Sequence, residues 1–176
     1  NFNKEILDSL SEQYGDAFYF LDIDKFKINY SNFLESFQKH YAKTRIAYSY
    51  KTNYTPSICK SVDSLGGMSE VVSWMECELA LKLGVKEKNI IFNGPYKDKT
   101  YIKKVLIGGG IVNLDSKHEI NFIEEIAKEN PERKITIGLR CNFQINEEIS
   151  RFGFDVNEKE FKEAMKRIKK IKNVEL

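Results

Sequence analysis

A lysine closes the short β-like run of Ala47–Lys51, and its amine is the group in this sequence with the clearest chemical potential. Thr55 and Pro56 then predict the start of a helix, so Lys51 falls at the carboxyl end of a strand in a strand–helix unit. An α/β barrel carries its chemistry at that end of its strands. A lysine placed there can form a Schiff base with an aldehyde cofactor. On its spacing alone, Lys51 is better explained as a solvated charge.

Other polar residues near predicted strand ends also have simpler explanations. Ser73 and Glu76 form the pattern S-x-x-E, which is typical of a helix capping box. Gly108–Gly110 follow a predicted helix instead of opening one, so they indicate a helix stop and not a dinucleotide-binding loop. Arg140 can be a rim charge and Ser150–Gly153 a turn. Taken singly, these residues indicate only an enzyme-like α/β domain.

Strand and helix patterns alternate along the chain, which predicts βαβ units and a parallel sheet. The predicted strands are Ala17–Leu21, Ile46–Tyr50, Glu70–Val72, Asn89–Phe92, Ile111–Leu114, Ile135–Arg140 and Val174–Leu176. Asp22 or Asp24 can cap the first helix, and Ser116 with Glu119 predicts a second capping box. A closed eight-unit barrel needs about 250 residues. With 176 residues, the chain is expected to form part of a (β/α)8 barrel, a TIM barrel, with parallel strands.

Composition excludes several classes of protein. The net charge of +2 comes from 28 basic and 26 acidic residues that are interspersed, so no nucleic-acid surface is expected. No apolar run approaches the roughly 20 residues that cross a bilayer, and no signal peptide is visible, so no membrane association is expected. Cys59, Cys77 and Cys141 lack CxxC spacing, and His40 and His118 lie far apart. This pattern favours a cytoplasmic protein without a metal site.

Six motifs, in order, resemble those of the pyridoxal-phosphate-dependent decarboxylases with an alanine-racemase-like barrel, the branch of the diaminopimelate, ornithine and arginine decarboxylases. The resemblance runs over almost the whole chain. Tyr48–Asn53 is similar to the lysine motif Y-A-x-K-x-N, and Glu70–Glu76 to D-V-V-S-x-x-E. The other similar segments are Tyr14–Asp22, Ile90–Lys97, Val112–Ser116, and Gly138–Asn142 followed by Ser150–Phe154.

The resemblance implies roles for five residues. Lys51 would hold pyridoxal 5'-phosphate as a Schiff base and later move protons, and partial desolvation would favour its nucleophilic form. Glu70 stands where the family usually has an aspartate near the cofactor, with one more methylene. Arg140 matches an arginine near the cofactor. Ser73 would support the cofactor-binding wall, and Asn53 is a weaker match.

The resemblance also implies an organisation. Residues 1–24 would be a leading segment with one strand of a β-domain, and residues 25–176 the amino-terminal part of the barrel. In the family, other parts of the site come from later sequence and from the partner subunit of a homodimer. The 176-residue piece alone is therefore expected to be inactive and to self-associate.

The reaction implied is decarboxylation of an amino acid or an amino-acid derivative. The alternatives are a racemase with the same cofactor, a non-catalytic pyridoxal-phosphate-binding barrel protein, and a barrel with no cofactor. Trp74 and Met75 replace the Gly-Gly common in diaminopimelate decarboxylases. This replacement favours the related decarboxylases of siderophore, antibiotic or carrier-linked precursors.

Overall fold

Strands and helices alternate along the chain in the computed structural model, which describes residues 3–143 and 150–176. The helices are α1 (Lys4–Tyr14), α2 (Ile23–Gln38), α3 (Pro56–Ser64), α4 (Trp74–Lys82), α5 (Lys99–Ile107), α6 (Lys117–Glu129) and α7 (Lys159–Ile168). The strands are β1 (Ala47–Ser49), β2 (Met68–Val71), β3 (Ile90–Phe92), β4 (Ile111–Leu114), β5 (Ile135–Leu139), β6 (Cys141–Asn142), β7 (Phe154–Asp155) and β8 (Val174–Glu175). The middle of the loop predicted before Gly153, residues 144–149, lies outside the described residues.

Six strands form one parallel sheet in the order β1-β2-β3-β4-β5-β8. The order follows the chain, so each helical connection leads to the next strand in the same direction around the sheet. In the register, Ser49 lies beside Glu70, and Asn113 lies beside Gly138. Strands β6 and β7 form a separate short parallel pair. Because all six strands are parallel, their carboxyl ends meet at one edge of the sheet.

The two faces of the sheet differ in character. One face carries fully buried apolar side chains, such as Val71, Phe92 and Val112, which pack with buried residues of α3 to α7 in one core. The alternate positions, including Glu70 and Asn113, are only partly buried. A doubly wound sheet has helices on both faces and reverses its strand order. Sequential order with the helices on one face is the arrangement of a barrel wall, and the predicted partial α/β barrel is confirmed.

Helix α2 is attached through a second, smaller apolar cluster. Tyr30 of α2 packs against Ile58 and Val62 of α3, with Phe26 and Leu34 beside them. As expected, the Asp22 side chain caps α2 by accepting a hydrogen bond from the backbone N–H of Lys25 at 2.8 Å. None of the described helices is long and apolar enough to cross a membrane.

The predicted strand at Ala17–Leu21 is wrong for the described structure. These residues lie in neither a helix nor a strand, and Tyr19 is fully exposed. A strand exists only through hydrogen bonds to a neighbouring strand, and the described residues offer none at this place. Helix α1, which the sequence analysis missed, precedes this segment. The Asn3 side chain caps it, and Ile6, Leu10 and Tyr14 recur at helical spacing, so the sequence did carry a helix signal here, although the helix buries no residue.

The two predicted capping boxes have different outcomes. Ser73 accepts a hydrogen bond from the Glu76 backbone N–H at 3.2 Å, and Glu76 in return accepts one from the Val72 backbone N–H at 2.8 Å. The first helix cap is thus confirmed, with its return bond one residue earlier than in the usual motif. Ser116 makes no side-chain cap bond, and the Glu119 carboxylate binds the backbone N–H of Asp115 instead. The second box is therefore only half formed: the Glu119 return bond is made as in the first box, and the predicted Ser116 cap is wrong.

Thiol alkylation near pH 8 should separate the three cysteines. Cys59 and Cys77 are buried and Cys141 is exposed. Burial raises the pKa of both buried thiols, that of Cys77 to about 12. In the folded protein, iodoacetamide should therefore modify Cys141 alone, and mass spectrometry of the peptides would show this. Modification of Cys77 at the same rate as Cys141 would contradict the buried core.

The same shift gives a pH dependence of stability. An unfolded thiol ionises near pH 8.5, well below the value of about 12 for folded Cys77. Below pH 8.5 this group does not change the free energy of unfolding. Above it the unfolded state loses the proton first, so stability should fall as the pH rises towards 12. Replacing Cys77 with alanine should flatten that part of a pH series of denaturation curves.

Candidate active site

A cavity of about 600 Å³ opens at the carboxyl edge of the sheet. Three of the predicted site residues line it, and they come from different places in the chain: Lys51, Glu70 and Arg140. Lys51 follows β1, Glu70 lies in β2, and Arg140 follows β5. Their meeting is a direct result of the parallel sheet, which brings the ends of distant strands to one edge.

A single turn of 3₁₀ helix, Tyr50–Thr52, presents Lys51. Tyr50 is fully buried and its hydroxyl accepts a hydrogen bond from the Ser69 hydroxyl at 2.9 Å, which anchors the turn to β2. The Thr52 hydroxyl donates to the Ser49 carbonyl at 2.7 Å and closes the turn. Lys51 itself is exposed, so the expected partial desolvation is wrong for this structure. The physical reason is that the described sheet is open, and the cavity side of the lysine faces solvent.

A relay of hydrogen bonds crosses four strands beneath the cavity and ends on the Glu70 carboxylate. The Asn113 amide donates to the Asn93 amide oxygen at 2.5 Å, and the Asn93 amide donates to Glu70 Oε1 at 2.8 Å. From the other side, the Ser49 hydroxyl donates to Glu70 Oε2. We call these four residues the strand-end relay. All its donors point towards Glu70, and both carboxylate oxygens accept, as suits an ionised group.

Gly138 is the residue that leaves room for this relay. It lies beside Asn113 in the register of β4 and β5. A Cβ atom at this position would fall on the Asn113 amide oxygen. Any larger residue would therefore push the Asn113 side chain out of line with Asn93. The glycine is required by a close approach between neighbouring strands.

Arg140 presents a positive charge at the opposite side of the cavity. Its Nη1 lies 3.4 Å from Asp115 Oδ2, and its guanidinium carbon lies 4.7 Å from the centre of the Phe152 ring. The Asp115 side chain is only 4% exposed, whereas that of Arg140 is 44% exposed. A buried carboxylate and an aromatic face thus hold a cation that remains open to a ligand.

The segment Ser150–Gly153 is fastened to the same arginine. The backbone N–H of Gly153 donates to Asp115 Oδ1 at 2.7 Å, and that of Phe154 donates to the Arg140 carbonyl at 2.8 Å. Gly153 has φ of +79°, and a Cβ there would lie 2.5 Å from the Arg140 carbonyl oxygen. The motif that suggested a simple turn therefore closes one wall of the cavity.

The other two predicted site residues use their side chains locally. Asn53 Oδ1 accepts hydrogen bonds from the Thr55 backbone N–H at 3.0 Å and from the Thr55 hydroxyl at 2.7 Å. Asn53 therefore forms a turn just before α3, and Thr55 is the N-cap residue, as predicted, but makes no side-chain cap bond. Ser73 caps α4. The structure does not bring either side chain to the cavity wall formed by Lys51, and their contact with a cofactor stays a prediction.

Sequence reasoning gave no individual role to Asn93, Asn113 and Asp115, although each belongs to a segment that carried the resemblance. Asn93 and Asp115 are the first residues after β3 and β4, and Asn113 is the next to last residue of β4. A polar residue at the carboxyl end of each successive strand was the available signal. What the sequence does not show is the direction in which each side chain donates.

The cavity has the features that a phosphorylated aromatic aldehyde requires. Its volume lies in the usual range for small-molecule pockets, about 300–1,000 Å³. It offers a primary amine on Lys51, a carboxylate on Glu70 and a guanidinium on Arg140. The fold and the site together define the first part of a cofactor-binding α/β barrel. Residues 29–176 match the model of the pyridoxal-dependent decarboxylases, pyridoxal binding domain, and the chain belongs to this family.

Relatives support the same assignment along the sequence. The chain is 32% identical over 175 residues to a diaminopimelate decarboxylase of Methanocaldococcus jannaschii, covering 91% of this chain and 39% of that protein. It is 32% identical over 143 residues to a diaminopimelate decarboxylase of Helicobacter pylori, covering 81% of this chain and 34% of that protein. The chain thus spans well under half the length of the relatives it matches.

Solved structures show the same fold. The diaminopimelate decarboxylase from M. jannaschii in complex with L-lysine has a TM-score of 0.81 and 29% identity, over 94% of this chain and 42% of the other. The H. pylori enzyme complexed with L-lysine has a TM-score of 0.79 and 29% identity, over 96% of this chain and 44% of the other. The resemblance of the six motifs to this family is confirmed.

The expectation drawn from Trp74 and Met75 finds no support in these comparisons, because the relatives named above are diaminopimelate decarboxylases. The structure places the two residues away from the cavity. They occupy the first turn of α4 and are 53% and 41% exposed, with the Trp74 ring 6.5 Å from that of Tyr101 on α5. Their side chains pack on the outer helices and do not line the cavity that holds Lys51.

Replacing Gly94 with alanine should destabilise the cavity wall. Gly94 has φ of +100°, and its Cβ would fall on the Val72 carbonyl oxygen, where β3 turns over β2. Gly84 is a matched control, because its φ is +92° and a Cβ there meets nothing within 4 Å. Gly84→Ala should cost about 1–2 kcal/mol from backbone strain alone. Gly94→Ala should cost at least about 1 kcal/mol more in denaturant unfolding, and equal costs would contradict the close packing.

Proposed function

We propose that the protein to which this chain belongs is a pyridoxal-phosphate-dependent decarboxylase of an amino acid, with Lys51 as the residue that carries the cofactor. The observation that supports this most strongly is the meeting of Lys51, Glu70 and Arg140 around one cavity in a chain of this family. Each of the three supplies a different chemical group, and each is placed by a separate strand of the sheet.

The residues present fit pyridoxal phosphate. When bound, the cofactor supplies an aldehyde for the lysine amine and a ring that takes up the electron pair left when a substrate loses its carboxylate. Lys51 Nζ lies on the cavity wall, where it can bind the cofactor and afterwards return a proton to the product. The Arg140 guanidinium suits an anionic group, either the phosphate or a carboxylate. On the other side of the cavity, the Glu70 carboxylate, which the strand-end relay holds in place, can orient a positively charged group of the cofactor or substrate.

The substrate proposed is diaminopimelate. The named relatives are diaminopimelate decarboxylases, and the solved structures from M. jannaschii and H. pylori are complexes with L-lysine. Loss of one carboxylate of diaminopimelate as carbon dioxide, with a proton taking its place, gives lysine. A substrate with an amino-acid group at each end suits a cavity that carries both a carboxylate and a guanidinium.

Assembly, domain division and location belong to the same proposal. Residues 17–21 run outside the sheet, which supports their assignment, within residues 1–24, to a unit separate from the barrel. Membership of the family supports a homodimer, which sedimentation of the full-length gene product would test. The buried free thiols of Cys59 and Cys77 are compatible with the cytoplasmic location expected from the sequence.

Borohydride reduction of the full-length gene product with pyridoxal phosphate should attach a pyridoxyl group to Lys51. Reduction fixes the bond between the lysine amine and the cofactor aldehyde, so peptide mass spectrometry locates it. Lys51→Ala should lose the label and lower decarboxylation by several orders of magnitude, because the covalent route is removed. Lys60→Ala, at an exposed lysine of α3, is the control and should keep both.

Carbon dioxide release from diaminopimelate, with lysine as the product, would separate a decarboxylase from a racemase. An unlabelled Lys51 in a folded protein would refute the proposal. A labelled Lys51 with inversion of the substrate and no carbon dioxide would refute the decarboxylase and leave the cofactor site.

A further inference from the structure

A buried ion pair lies directly behind the cavity and takes no part in the chemistry proposed above. Lys97 Nζ and Glu119 Oε1 are 2.8 Å apart, and the two side chains are 0% and 3% exposed. Lysine is almost never this deeply buried unless it is paired. Removing two charges from water is so costly that such a pair seldom adds net stability. Stability alone therefore does not explain why this ion pair is buried at this position.

The lysine end of the pair holds one wall of the cavity. Besides Glu119, Lys97 Nζ binds the carbonyl oxygen of Gly94, to which it donates a hydrogen bond at 2.6 Å. Gly94 lines the cavity and packs so closely on Val72 that a side chain would not fit. The lysine thus fixes the turn after β3 from behind, while Asn93 in the same turn supports Glu70 from the front.

The glutamate end of the pair reaches the other wall. Glu119 Oε2 accepts the backbone N–H of Asp115 at 2.7 Å. Asp115 in turn accepts the N–H of Gly153 at 2.7 Å through one oxygen and faces Arg140 at 3.4 Å through the other. A continuous path of contacts therefore runs from Gly94, through Lys97, Glu119 and Asp115, to the guanidinium in the cavity.

We propose that Lys97 and Glu119 are positioning residues, which set the separation between the Gly94 wall and Arg140 and so determine how tightly the cavity holds an anionic cofactor or substrate. The proposal rests on the proposed function, since it assigns a role in that same cavity. Neither residue touches the cavity itself; they act through Gly94 and Asp115.

The test uses the double variant K97M/E119Q in the full-length gene product. Removing both charges leaves no unpaired buried charge, and glutamine keeps an oxygen for the Asp115 N–H, so the variant should unfold within a few degrees of the wild type. The matched control is K103M/E129Q. Lys103 of α5 likewise forms an ion pair with a glutamate of α6, Glu129, at 2.7 Å, but the two side chains are 47% and 54% exposed.

The expected result is a separation between stability and binding. Three quantities would be measured: thermal unfolding of the cofactor-free protein, the Kd of pyridoxal phosphate from its absorbance, and kcat and KM. For K97M/E119Q, the Kd and KM should rise, and kcat/KM should fall about 10- to 100-fold, because misplacement of a binding group by about 1 Å can cost about 100-fold. The control should keep wild-type values. A double variant that folds with wild-type Kd, KM and kcat would overturn the proposal.

Asp115→Asn decides the matter if the double variant does not fold. This substitution keeps the ion pair and the backbone N–H to Glu119 and removes only the charge that faces Arg140. Unchanged values would overturn the proposal, because the path from the ion pair would then not reach the guanidinium, and a raised Kd and KM would support its last contact, from Asp115 to Arg140. Failure of the proposed function is distinguishable, because the wild type itself would then lack the label on Lys51 or the release of carbon dioxide.

Discussion

The carboxylate of Glu70, on the cavity face of a parallel sheet, is the constraint on which the rest of the site depends. A charged group in such a place must be given hydrogen bonds, because burying it without them costs several kcal/mol. Its donors come from Ser49 on β1 and from Asn93 after β3, and Asn93 is oriented by Asn113 on β4. Strands β1 to β4 therefore have to keep one register for these hydrogen bonds to form. The polar contacts at the strand ends thus help to specify that register, together with the apolar face of the sheet.

The two faces of the sheet have different roles, and this explains how the fold can be stable while the cavity stays open. Side chains such as Phe92 and Val112 are completely buried against the helices, and burial of each is worth about 1.5–3 kcal/mol. The cavity face carries no comparable apolar packing. Its order comes instead from directed contacts: the strand-end relay on one side, and Asp115 with Phe152 around Arg140 on the other. The apolar core fixes the strands, and the polar contacts fix the groups at their ends.

Local sequence patterns predicted a helix or strand well where residues at its ends mark where it begins or stops. Strand β4 has the predicted bounds, and the three glycines before it stop helix α5 as predicted. Lys51, Glu70 and Arg140 were assigned through the resemblance to the family, and the parallel sheet brings them together. Long-range partners could not be predicted. Glu119 was expected to cap its own helix, but its carboxylate also binds Lys97, which lies 22 positions earlier in the chain. Ala17–Leu21 was expected to be a strand, but none of the described strands pairs with it, which its own composition does not show.

The extra methylene of Glu70 illustrates how such contacts decide a residue type. The sequence left the reach of this glutamate in doubt, because the family usually has an aspartate here. In the structure the longer side chain brings one oxygen to the Ser49 hydroxyl and the other to the Asn93 amide at 2.8 Å, on neighbouring strands to either side. An aspartate would draw the carboxylate back by about 1.5 Å, the length of one carbon–carbon bond. Both donors could then be reached only if the strands moved. The residue types at Glu70, Asn93, Asn113 and Gly138 therefore depend on one another through this packing.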